Sequence, residues 1–95
     1  MKPQLTLYTR KDCCLCDDMK EIIRRVAART PLQLTEIDVD SAPEHRELFG
    51  SEVPVLYIGD RKAFKYNVTE RDLQRRLSKQ YGFAARLARK VLGRQ

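Results

Sequence analysis

The sequence predicts an α/β domain built on a four-stranded mixed sheet. Three observations carry this. A strand-like alternation over residues 4–9 runs directly into a helical stripe, and a second strand-like segment follows that helix. A proline-led run, Pro54-Val55-Leu56-Tyr57-Ile58, is followed by a Gly59-Asp60 turn and a return segment. All three cysteines, Cys13, Cys14 and Cys16, sit where the first strand gives way to the first helix.

Each element follows from local chemistry. Gln4-Leu5-Thr6-Leu7-Tyr8-Thr9 alternates apolar and polar side chains, the period of a half-buried strand. Arg10-Lys11-Asp12 breaks the alternation. Cys16, Met19, Ile22, Ile23, Val26 and Ala27 then recur at spacings of three and four, which predicts a helix over about 14–28. Thr30-Pro31 ends it, because proline has no amide hydrogen to donate. A second strand is expected over 32–39, with Leu32, Leu34, Ile37 and Val39 imperfectly in phase.

Ser41-Ala42-Pro43-Glu44 has the spacing of a capping box, so a short helix should run to Phe49 and stop at Gly50. Residues 54–58 form the third strand and 62–66 its hairpin partner. Thr69 is a good N-cap, and Val68 with Leu73 has hydrophobic-staple spacing, so a helix starts there and continues to about Gln80. Gly82 should interrupt it. Residues 83–92 then make a further amphipathic helix, with Phe83, Ala84, Leu87, Ala88, Val91 and Leu92 on one side.

The order is therefore β-α-β-α-β-β-α plus a basic tail helix. The first two strands, joined through a helix, should be parallel with a right-handed crossover. The last two, joined by a tight turn, should be antiparallel. Residues 1–80 are read as the domain and 81–95 as a basic amphipathic tail.

Ninety-five residues leave room for one domain only. The charge is lopsided. Residues 1–60 hold 8 Lys and Arg against 11 Asp and Glu, net −3; residues 61–95 hold 11 against 2, net +9. No apolar run is long enough to span a bilayer, and Met1-Lys2-Pro3-Gln4-Leu5 lacks the apolar stretch of a signal peptide. A monomer with neither a membrane nor a nucleic-acid partner is expected. The tail stripe is expected to pack on the domain, leaving Arg86, Arg89, Lys90 and Arg94 in water; the alternative is that it serves an acidic or membrane partner.

Cysteines confined to four positions cannot staple distant segments, so they point to redox exchange or metal binding at one spot. A cytoplasmic, reducing compartment is the expected setting. The unpaired amide hydrogens at a helix start, with the helix dipole, favour an anion, and a Cys13 thiolate would be that anion. Its acidity should rise; Arg10 and Lys11 add to the effect, and Asp12, Asp17 and Asp18 oppose it. One helical turn brings Cys13 and Cys16 within bonding reach. The exposed Cys13 would attack a substrate disulfide and the covered Cys16 would resolve the mixed disulfide.

Leu7-Tyr8-Thr9-Arg10 leading into Cys13-x-x-Cys16, then Ile37-Asp38-Val39-Asp40, then Val53-Pro54-Val55-Leu56, resembles the glutaredoxins of the thioredoxin-fold superfamily. The likeness is strongest to the small glutaredoxin-like proteins of poorly defined function, and it covers residues 4 to about 80. It implies a thioredoxin fold and thiol–disulfide exchange on protein or glutathione disulfides. It also implies a cis Pro54 facing the disulfide, with Val53 offering backbone hydrogen bonds to substrate and Arg10 as the basic residue before the first cysteine. No bound cofactor is implied; glutathione or a reductase would supply electrons.

Two departures stand out. Glutaredoxins commonly carry Pro-Tyr between the cysteines, where this chain has Cys14-Leu15. Cys14 is read as a passive small side chain, the alternatives being an accessory nucleophile or a glutathionylation site. The Gly-Gly-x-Asp that clamps glutathione is replaced by Tyr66-Asn67-Val68-Thr69-Glu70, which puts glutathione specificity in question.

The same residues bear on other functions. An iron–sulfur or metal-handling role needs about four ligands, and His45 lies on another element, where it is expected to be solvated. An arsenate-reductase-like reading would want a dedicated arginine in a later loop, and none stands out. A thioredoxin-fold protein-binding module would rest on the tail alone.

Overall fold

The computed structural model describes residues 2–93, and the side chains of residues 2–81. The elements are β1 (Gln4–Thr9), α1 (Cys14–Ala27), β2 (Gln33–Asp38), a 3-10 turn (Val39–Ser41), α2 (Pro43–Phe49), β3 (Val55–Ile58), β4 (Arg61–Lys65) and α3 (Glu70–Gly93). The strands lie in the order β2-β1-β3-β4. β1 and β2 are parallel, from Gln4 beside Gln33 to Thr9 beside Asp38. β3 is antiparallel to both β1 and β4, with Tyr8 opposite Val55 and Val55 opposite Lys65. This is the mixed sheet that the strand order and connections predict, and it is a thioredoxin fold.

Two apolar clusters fix the layers. On one sheet face, Leu5, Leu7, Leu56 and Ile58 pack with Met19, Ile23 and Val26 of α1 and with Leu73 and Leu77 of α3. Val68 packs against the same cluster, so the staple to Leu73 forms. A smaller cluster of Val39, Phe49 and Val55 gathers Tyr8, Val53 and Tyr57 around α2. Tyr8 stacks on Phe49, ring centroids 4.2 Å apart.

The local expectations fail at three places, each for a physical reason. Ser41 does not cap α2. Its hydroxyl donates to the Asp38 carbonyl (2.5 Å) inside the 3-10 turn, and Ala42 takes the N-cap position without a side-chain hydrogen bond. α2 does run to Phe49 and stop at Gly50 as expected, with Gly50 in ordinary right-handed geometry, φ −57°. Its value lies in space, since a Cβ there would sit 2.5 Å from the Arg46 carbonyl oxygen. His45 is half-buried, its ring meeting the edge of Tyr8 at 5.6 Å, rather than solvated.

The third place is Gly82, where α3 carries on to Gly93 without a break. A lone glycine costs a helix about 1 kcal/mol relative to alanine. The surrounding Ala, Leu, Arg and Lys residues are strong helix formers and absorb that cost. The packing expected for the side chains of residues 83–92 lies outside the described residues.

Candidate active site at the end of the sheet

The register gathers the chemistry at one end of the sheet. β1 and β2 both run toward it and finish at Thr9 and Asp38. β3 begins there, because Val55 lies opposite Tyr8, and β4 finishes there, because Lys65 lies opposite Val55. The segments that leave or enter at this end are the Arg10–Cys13 loop, the turn from Val39, Val53-Pro54, and Tyr66–Thr69 ahead of α3. Residues far apart in sequence are thus neighbours by topology.

Cys13 is the N-cap of α1, in extended geometry (φ −115°, ψ 107°). Its position follows from Asp12, which reverses the chain with φ 55°, a left-handed conformation that aspartate tolerates better than most side chains. Cys13 and Cys16 are joined as a disulfide with their Cα atoms 5.2 Å apart. The Cys16 amide hydrogen is donated to Cys13 Sγ, N to S 3.1 Å. Sulfur thus occupies the place a serine or aspartate oxygen takes in an ordinary cap, and it takes up one of the otherwise unpaired amides of the first turn.

The two sulfurs differ in access. Cys16 is fully buried under the apolar stripe of α1, while Cys13 is half-exposed. Cys14 is a free thiol on the surface, and Leu15 beside it is 46 % exposed. The pair can therefore exchange with a disulfide that approaches Cys13 from solvent, with Cys16 reachable only from within.

Val53-Pro54 is a cis peptide, as the resemblance implies. Pro54 is buried and Val53 half-buried. The Pro54 carbonyl accepts the Tyr66 amide at 2.8 Å, which ties this segment to the start of the loop before α3. Tyr66 itself has φ 71° and is 41 % exposed. In α3 the Thr69 hydroxyl accepts the Asp72 amide at 3.0 Å, the N-cap the sequence predicts.

Arg10 shows an arrangement that sequence reasoning missed. Its guanidinium grips Asp40 with two bonds, Nε to Oδ2 at 3.0 Å and Nη2 to Oδ1 at 3.2 Å, and donates Nη1 to the Gly50 carbonyl at 3.0 Å. Arg46 adds a bond to Asp40 Oδ1 at 3.2 Å. The hydrogen bond from Arg10, more than the one from Arg46, holds the Asp40 carboxyl below the ordinary aspartate range, and the pairing raises Arg10 in turn. Arg10 thus braces the end of β1 against the turn from Val39 and the end of α2. The partners are 30 and 40 residues away. The aspartate was visible in the Ile37-Asp38-Val39-Asp40 motif, but no local pattern reveals such a pairing.

Among the described residues no group of three or more His, Cys, Asp and Glu side chains is arranged to hold a metal ion. No described helix is long and apolar enough to cross a membrane.

Comparison with known proteins agrees with this architecture. A protein from X. campestris superimposes with a TM-score of 0.68 at 27 % identity, over 79 % of this chain and 96 % of that one. Desulfothioredoxin from Desulfovibrio vulgaris Hildenborough, in its reduced form, gives 0.63 at 25 % identity, over 83 % and 82 %. Protein Ne2328 from Nitrosomonas europaea gives 0.70 at 23 % identity, over 80 % and 92 %, a likeness of fold. The family model of the glutaredoxin-like domain (DUF836) matches residues 4–78, which hold the sheet, the cysteine pair and the cis-proline segment. With a match of that extent the chain belongs to the glutaredoxin-like (DUF836) family.

Proposed function

We propose that the chain is a thiol–disulfide oxidoreductase that works through the Cys13–Cys16 dithiol. The observation that carries this reading is the unequal access of two bonded sulfurs at a helix N-terminus, one half-exposed and one fully buried. In the reduced protein, a Cys13 thiolate attacks a substrate disulfide. A Cys13–substrate bond forms, the substrate S–S bond breaks, and one substrate thiolate leaves. Cys16, deprotonated, then attacks Cys13 Sγ. The Cys13–Cys16 disulfide forms, the second substrate thiol leaves, and two electrons have passed to the substrate. Glutathione or a disulfide reductase returns those electrons.

Val53 and Pro54 take the role of presenting the backbone of an extended substrate, with Arg10 a further substrate-binding residue. Cys14 stays a spectator whose thiol lies outside the exchanging pair. The cis segment supports the roles of Val53 and Pro54.

The test is a thiol–disulfide exchange assay run in parallel with glutathione and with a thioredoxin reductase. Turnover with either donor that is abolished by Cys13→Ser supports the proposal. Equal turnover by Cys13→Ser and the unaltered chain would sink it.

A further inference from the structure

The cations of this chain fall into two populations. In residues 2–60, six of the eight cations, Arg10, Lys20, Arg24, Arg25, Arg29 and Arg46, form ion pairs with Asp40, Asp17, Glu36, Glu21 and Glu70, while Lys2 and Lys11, like Arg61 on β4, have none among the described residues. Lys62 and Lys65 on β4 both pair with Glu52. On α3, in contrast, Arg71, Arg75, Arg76 and Lys79 have no acidic partner among the described residues; Arg76 alone rests on a ring, that of Phe64. From Leu73 to the end of the sequence there is no Asp or Glu at all.

The continuity of α3 through Gly82 gives this a geometry. At 3.6 residues per turn, Arg71, Arg75, Arg76, Lys79, Arg86, Arg89 and Lys90 share one arc of roughly 140°, interrupted by Asp72 in the first half of α3 and by Phe83 in the second. Opposite them the buried Leu73 and Leu77 begin a stripe whose register continues with Ala84, Leu87, Ala88, Val91 and Leu92. α3 makes its last described contacts with the sheet at Gln80, which donates to the Ile58 carbonyl at 2.8 Å, and at Tyr81 beside Gly59. A helix broken at Gly82 could fold its second half back onto the domain. α3 instead continues in one direction past Tyr81.

A water-exposed helix ordinarily alternates Glu and Lys at spacings of three and four, as α1 does with Glu21, Arg24 and Arg25. The second half of α3 carries like charges at those spacings instead, Arg86 with Arg89 and Lys90, which repel. An external anion removes the repulsion. A polyanion alone would leave the apolar stripe without a use, and the stretch has few aromatic side chains on which bases could stack. A surface with anionic headgroups above an apolar layer uses both faces.

We propose that the C-terminal half of α3, residues 83–92, is an interfacial anchor that lays the domain on an anionic lipid surface. Leu87, Ala88, Val91 and Leu92 enter the headgroup boundary, and Arg86, Arg89 and Lys90 engage lipid phosphates. The inference is independent of the redox reading, since it draws on no residue of the cysteine site.

The test is co-sedimentation of the full chain with vesicles of phosphatidylcholine alone and of phosphatidylcholine mixed with phosphatidylglycerol, at low and at high salt. Binding to the anionic vesicles only, weakened by salt, is expected. Replacing Arg86, Arg89 and Lys90 together by Gln should lower the partition about 100-fold, since each cation near such a surface contributes on the order of a factor of five. Leu87→Ser with Leu92→Ser should also lower it, with the rate of Cys13 alkylation unchanged as the control for folding. Binding that ignores lipid charge overturns the proposal. So does a leucine variant whose melting temperature falls in the absence of lipid, because the stripe would then be packed on the domain. A protein that a duplex oligonucleotide strips from the vesicles, with binding indifferent to Leu87 and Leu92, would instead mark the cations as a nucleic-acid surface. The glutamine variant touches no apolar position, so it reads the charge dependence of binding separately from any change in packing.

Discussion

Cys13 and Cys16 lie one helical turn apart, yet burial gives them different access to solvent. The hydrogen bond from the Cys16 amide to Cys13 Sγ would stabilise a thiolate as well as it serves the cap. Alkylation of the reduced chain at mildly acidic pH should therefore label Cys13 first and Cys16 slowly. Mass spectrometry of peptides reads the order, and first labelling at Cys14 would overturn the assignment. Cys16→Ser should accumulate the mixed disulfide with substrate, because no second thiol is in place to release it.

Arg10 and Asp40 make a prediction with a definite sign. The Asp40 carboxyl is lowered in the folded chain by its hydrogen bond from Arg10. Its contribution to stability is complete above the unfolded value of about 3.9 and fades as pH falls through the folded one. Glu52, lowered by hydrogen bonds from Lys62 and Lys65, acts in the same direction. Urea midpoints measured from neutral to acid pH should fall for the unaltered chain. Asp40→Asn should start lower and fall less. An unchanged acid slope in the variant would show that Asp40 is not coupled to folding. Both carboxyls stand near solvent, so the effect is modest.

At the level of the element, α3 starts where Thr69 closes the first turn. Thr69→Ala should cost about 1 kcal/mol, read from the urea midpoint at constant slope. Leu73→Ala, deep in the main apolar cluster, should cost about 2–5 kcal/mol. A Leu73 variant no weaker than the Thr69 variant would mean that α3 is not part of the cooperative core.

Elements with a clear period were legible in the sequence. The stripe of Cys16, Met19, Ile23 and Val26 marks α1, and the Leu5–Leu7 alternation marks β1, because one face of each meets the core. What escaped was decided by contacts between distant residues or by competition for one group. Ser41 had two carbonyl and amide environments to choose from, and Asp38 won it. The cis form of Pro54 came from resemblance alone, since nothing local in Val53-Pro54 distinguishes it. At the site, the cysteine pair was plain from spacing. The grip of Arg10 on Asp40 was not, because it exists only once β1 and β2 are side by side.

At the scale of the whole molecule, the loop that replaces the glutathione clamp stands at the same sheet end as Cys13. Tyr66 and Asn67 occupy it with side chains, and their amides are spent on the Pro54 and Lys65 carbonyls. Titration of the reduced chain with oxidised glutathione should shift amide resonances near Cys13 and Val53 more than those of residues 67–70. Shifts centred on 67–70 would show that a different backbone arrangement holds the tripeptide.

The Gly59-Asp60 turn sits at the far end of the sheet from all of this. Gly59 adopts φ 64°, its amide binds the Gln4 carbonyl at 2.7 Å, and any side chain there would press on Gln80 and Tyr81. Asp60, next to it, is exposed. About 20 Å of strand separates that turn from the sheet end that bears the disulfide. Coupling the chain to an electrode through position 60 would hold the molecule upright with its disulfide facing the solution. Electrons and soluble substrates would then meet at a sulfur that the support does not shade.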